Sequence, residues 1–352
     1  MTTASVSSEF GSVVEQFGGP RGYLNAAAMG IPPRTAVEAL QRDLVLFARA
    51  QRNPRDYDGI VAGTRDSYAN LVGVPAGQVA IGSQTSVQVS LAAAAVPPGA
   101  EVLLVHGDFS SVVFPFLQRS DITVRHVPVS ALAEEIGERT WLVAFSLVQS
   151  ATGEVADTAA ILEAAARVGA YTLCDTTQAT GVLPVEATAF DMTVCHSYKW
   201  LCAPRGVSFL TVNEGFGALL TPIQAGWTAG EQVWSSTYGP SMTLASDARR
   251  FDVSPAWPSW VGAEVSIALF AELDIAQVWA HASGLGDALC EGLGIAPQGQ
   301  AIVTWPDADG SDLERLTAAG ITVSGRAGRL RASFHLWNDE SDVEAALRAL
   351  GR

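Results

Sequence analysis

The sequence predicts an α/β fold, with a large domain built on a mostly parallel sheet and a small α+β domain after it. Two observations carry this. Short segments that are apolar throughout recur between helical segments, as strands buried on both faces do. From residue 301 the pattern then changes to strand (AIVTW), helix (SDLERLTAAG), strand (RLRASFHLW) and helix (ESDVEAALRAL).

The elements follow in order. Helical periodicity is clear at 36–51 and 59–72. The strand-like QVAI precedes Gly82-Ser83-Gln84-Thr85, after which a helix is expected. Strands read at 101–105, 122–126, 141–145, 170–174, 191–195 and 207–212. The plainest helix is 157–168, with Asp157 as N-cap and Gly169 as its stop. Residues 213–260 break the rhythm with loop-like runs holding Trp227, Trp234, Trp257 and Trp260, read as packing or as a lining for a substrate side chain. One long helix is expected at about 260–280. The domains are placed at 1–265 and 266–352.

Composition narrows the function. With 48% hydrophobic and 16% charged residues the chain can bury a sizeable core. A net charge of −15 argues against a nucleic-acid partner. No apolar run is long enough to span a bilayer, and the N-terminus lacks a basic patch before an apolar stretch, so a cytoplasmic protein with no membrane partner is expected. The four cysteines show no CxxC pairing, and three of them, in or beside apolar strand-like segments, read as buried thiols. The five histidines lack metal-ligand spacing, so no metal is expected.

The chain holds one lysine, Lys199, against twenty arginines. It follows the strand DMTVCHS, 24 residues after Asp175, which ends the strand AYTLC. In open α/β sheets ligands gather at such strand ends. Three features each suit one part of pyridoxal 5'-phosphate (PLP). A lysine in an apolar setting has its neutral, nucleophilic form favoured. A carboxylate can hold a pyridine nitrogen protonated, so that the ring acts as an electron sink. A Gly-Ser-Gln-Thr turn opening a helix offers N–H groups and the positive dipole end to a phosphate. Taken singly, Lys199 also fits a snorkelling surface residue, Asp175 a turn former and the Gly82 turn a plain cap.

Together these residues lie in the run LCDTTQATGVLPVEATAFDMTVCHSYKWLCAPRGVSFLTV (173–212), which resembles the lysine-bearing core of class V aminotransferases, PLP enzymes of fold type I. That family includes cysteine desulfurases, selenocysteine lyases, kynureninases and isopenicillin-epimerase-like proteins. The segments YLNAAAMG (23–30), VQSATGEVAD (148–157) and RASFHLWNDESDVEAAL (331–347) extend the likeness. It implies a seven-stranded, mostly parallel sheet and a homodimer with active sites at the interface.

The resemblance also implies roles. Lys199 is the Schiff-base lysine and proton shuttle, Asp175 pairs with the pyridine nitrogen, and Gln178 bonds the ring hydroxyl. Ser83, Gln84 and His196 hold the phosphate. Phe109 stacks on the ring or packs in the core. Tyr198, where many members have His, bonds the phosphate or packs. Arg331 takes the substrate α-carboxylate, with Arg329 as the alternative. Asn25 lies in the substrate-side segment, and Ser150, beside Gln149, stands where the family often has Asn. In RRFDVSPAW (249–257), Ser254 or Arg250 reaches the partner's site.

The stretch GITVSGRAGRLRAS (320–333) lacks the cysteine that desulfurases carry before the carboxylate-binding arginine. The expected activity is therefore a lyase cleaving a Cβ–S or Cβ–Se bond by β-elimination, with an aminotransferase, an epimerase and a non-catalytic binding protein as alternatives.

Overall fold

The structure, a computed structural model, describes residues 8–18, 21–326 and 328–352. Seven strands form the main sheet: β1 (Val79–Gly82), β2 (Glu101–Val105), β3 (Thr123–Val127), β4 (Thr140–Ser146), β5 (Tyr171–Asp175), β6 (Met192–His196) and β7 (Ser208–Val212). Their order is β1-β7-β6-β5-β4-β2-β3. All neighbours pair in parallel except β7, which runs antiparallel to both β6 and β1. The strands match the apolar segments within a residue or two.

The wholly apolar runs arise because both faces are covered. On β4, Val143 and Phe145 enter one core cluster, while Leu142 and Ala144 enter the other. β3 is the exception, an edge strand whose Arg125 and His126 meet solvent. The helix Thr158–Val168 has the predicted ends: Asp157 accepts from Ala160 N at 3.1 Å, and Gly169 takes the left-handed φ of 72°.

The single helix expected at 260–280 is two, Trp257–Ala271 and Ile275–Leu293. Asp274 turns out of helical geometry and its side chain accepts from Ala276 N, capping a new helix. The first packs on Arg34–Ala48 and Tyr57–Leu71, the second on Glu340–Leu350 and the strand Ile302–Pro306.

The tail builds an antiparallel sheet in the order β8 (Ile302–Pro306), β10 (Arg329–Ser333), β9 (Ser324–Arg326). The N-terminal segment joins it: Tyr23 bridges Thr322, Asn25 bridges Ser333, and Gly22 N donates to Asp342. The predicted boundary at 265/266 falls inside the helix Trp257–Ala271. Among the described residues, no helix is long and apolar enough to cross a membrane.

Candidate active site

The carboxyl ends of β1, β2, β4, β5 and β6 share one edge of the sheet, so the turns that follow them meet. Lys199 lies three residues beyond β6. Its carbonyl accepts from Cys202 N, and Tyr198 O accepts from Gly30 N at 2.9 Å. Gly30 is required here by space: a Cβ would stand 1.9 Å from Lys199 O. The Lys199 side chain is buried, with Nζ 5.2 Å from the centre of the Phe109 ring and 5.7 Å from that of Tyr198. A cation set against two rings is favoured by their quadrupoles.

Asp175 ends β5 and is also buried. Thr177 N donates to its Oδ1 at 2.8 Å. Burial lifts its titration to about 6, against the pull of the Thr177 hydrogen bonds and of the Lys199 charge, while the Asp108 charge lifts it further. Such a carboxylate lacks only a cationic donor, which a protonated pyridine nitrogen is.

Thr177 Oγ1 accepts from His196 N, tying the ends of β5 and β6 together. The His196 ring is held neutral, titrating near 4, because burial and then the charges of Arg205 and Lys199 oppose protonation. It meets Tyr198 edge-on at 4.4 Å. The Arg205 guanidinium lies over the Tyr198 ring, 5.1 Å from its centre. Gln178 is buried between Trp200 Nε1, which donates to its Oε1 at 2.7 Å, and Ala27 O, which accepts from its Nε2 at 3.0 Å.

At the helix Thr85–Ala95, Gln84 is extended and contributes no side-chain cap. No side-chain cap therefore competes for the first-turn N–H groups, the groups that bind anions at helix N-termini. Ser83 is half-buried there and Gln84 exposed. Asp252 accepts from Ile81 N and pairs with Arg65, and Val253 N donates to Ile81 O. These bonds lay the segment carrying the exposed Ser254 along β1 of the same chain.

Arg331, 3% exposed in β10, donates to the carbonyl of Ser150, so these two predicted residues meet. Arg329 is committed to the carbonyl and hydroxyl of Thr304. Asn25 accepts from Ser324 Oγ at 2.6 Å. Phe109, 43% exposed, is aimed by Asp108, which accepts from Phe109 N and from both N and Oγ of Ser146. Sequence reasoning missed Asp108, Thr177, Trp200 and Gly30. Their partners lie up to 169 positions away (Gly30 against Lys199), beyond any local pattern, although Asp108 adjoining Phe109 in HGDF was a visible hint.

All four cysteines are free and buried. Burial raises every thiol, Cys195 to about 12.

The class-V aminotransferase family model matches residues 23–311. The isopenicillin N epimerase of Amycolatopsis lactamdurans is 28% identical over 230 residues, 58% of this chain and 57% of that protein, so the chain spans little more than half the length of this curated relative. The cysteine desulfurase CsdA of Escherichia coli superposes with a TM-score of 0.84 at 21% identity, over 97% of this chain and 98% of that one. The cystine C–S lyase C-DES, solved with cysteine persulfide, does so with 0.84 at 20%, over 94% and 97%. The fold is that of the type I PLP enzymes, and the chain belongs to the class V aminotransferase family.

Proposed function

We propose that the protein is a PLP-dependent lyase that cleaves a Cβ–S, Cβ–Se or related Cβ–heteroatom bond of a small amino acid by β-elimination. When bound, PLP supplies an electron sink for the pair released when a bond to Cα breaks. Lys199 would hold the cofactor, and its Nζ would take the substrate's α-proton. Asp175 keeps the pyridine nitrogen protonated, and Gln178 donates to the ring oxygen. Ser83, Gln84, His196 and the N-terminus of the helix Thr85–Ala95 receive the phosphate. Tyr198 and Phe109 wall the ring. Arg331 forks the α-carboxylate, with Ser150 and Asn25 beside it, and Ser254 completes the partner's site in a homodimer.

The observation that carries this reading is the burial of all four thiols with their titration raised, which leaves no cysteine to accept sulfur. The sulfur then leaves on the product side. Epimerisation, which the relative's name favours, begins with the same α-proton transfer to Lys199 and is told from elimination by the fate of the Cβ substituent. The test is the holoenzyme with a panel of cysteine conjugates. Pyruvate and ammonia without any keto-acid acceptor support the lyase. Strict dependence on an added keto acid means transamination, and deuterium entering Cα with the amino acid otherwise intact means epimerisation. Lys199→Ala abolishes turnover and the colour of the bound cofactor; retention of either overturns the site.

A further inference from the structure

We infer that Trp200 is a positioning residue for the cofactor: its indole N–H fixes the polarity of the Gln178 amide, so that the amide N–H faces the cofactor ring oxygen.

An indole nitrogen only donates and a carbonyl only accepts. Gln178 is gripped by one of each: Trp200 Nε1 gives to Oε1 at 2.7 Å, and Ala27 O takes from Nε2 at 3.0 Å. The amide therefore has one orientation, and rotating it by half a turn would set carbonyl against carbonyl and N–H against N–H. One N–H is spent on Ala27, and Oε1 keeps a second lone pair; an ionised ring oxygen can only accept, so the group left for it is the second N–H.

The grip is rigid because Trp200 is itself buried and held. His335 Nε2 bonds the Trp200 carbonyl at 2.8 Å, and since that carbonyl can only accept, Nε2 carries the proton. The His335 ring packs 5.2 Å from the indole, and burial keeps it neutral, titrating near 3. Trp200 follows Lys199 directly, so the residue that anchors the cofactor and the one that orients its hydrogen-bond donor share one turn.

A donor to the ring oxygen stabilises its ionised form. Removing Trp200 Nε1–H leaves a buried carbonyl without its donor and the amide held from one side alone, by Ala27 O. The inference rests on the PLP reading of this site.

The test is Trp200→Phe, which keeps an aromatic ring and deletes the N–H. The pH midpoint of the bound cofactor's absorbance in the holoenzyme is read together with cofactor dissociation. The expected result is a midpoint raised by about one pH unit, a roughly tenfold change in proton affinity, with faster loss of cofactor. Gln178→Ala gives the same midpoint shift, and Trp200→Phe adds nothing to it in the double variant, because both act through one amide. A Trp200→Phe midpoint equal to wild type, or shifts that add in the double variant, overturns the positioning role. A wild-type protein that forms no coloured complex with PLP overturns the site reading and this inference with it.

Discussion

Replacing Asp175 by Asn should make the cofactor-free protein more stable while ruining it as an enzyme. In the fold this carboxyl titrates near 6, against 3.8 for the free side chain, chiefly because it is buried. The folded state therefore holds the proton more tightly than the unfolded chain. Below about pH 4 both states are protonated and the site costs nothing. As pH rises from 4 through 6 the unfolded chain ionises first, and stability is lost. At neutral pH the loss is complete: a factor of ten in proton affinity is 1.36 kcal/mol, so the full difference is about 3 kcal/mol. Asn is nearly isosteric, carries no charge and still accepts from Thr177 N. The gain in unfolding free energy, measured by urea denaturation of cofactor-free protein, should be about 3 kcal/mol at pH 7–8 and about half that at pH 5. Activity should fall by several orders of magnitude, since a neutral amide cannot hold the pyridine nitrogen protonated. A gain of the same size at every pH, or none at pH 8, would refute the reasoning.

Other outcomes follow from neighbouring features. Gly30→Ala puts a methyl 1.9 Å from Lys199 O; the turn must move, costing about 1–3 kcal/mol, and cofactor uptake should drop far more than the melting temperature. Arg65→Met strands the buried Asp252, which Arg65 grips at 2.6 and 3.2 Å; urea unfolding should register a loss of about 3–5 kcal/mol. The native protein at pH 8 should consume almost no aromatic disulfide reagent, whereas the denatured chain consumes four equivalents, one per cysteine. Prompt reaction of a single native thiol would contradict the buried assignment and reopen a persulfide mechanism.

The sheet was legible because most strands are short, largely apolar and bounded by turn chemistry, as 101–105 and 191–195 illustrate. The break at Asp274 was not, since the apolar pattern continues past 272 and the capping bond to Ala276 N marks where a second helix starts. Within the site, Lys199 and Asp175 could be read from spacing and strand ends, and the structure places them within range of each other's charge. Asp108 and Trp200 could not be read this way. An aspartate before a helix looks like a cap, and a tryptophan in an apolar run looks like core. Their bonds to Ser146 and Gln178 exist only after strands distant in sequence have assembled.

The N-terminal segment threaded beside the small sheet has a consequence for synthesis. Ala27, whose carbonyl steadies Gln178, takes its own backbone anchor from Ser333, 306 positions further along. At translation rates of about 5–20 residues per second, roughly 15–60 s separate the emergence of the two. Through that interval the nascent sheet can form while the loop at residues 22–30 has no strand to lie against. The pocket becomes competent to capture PLP only once Ser333 has emerged and the small sheet has formed, so cofactor loading follows assembly.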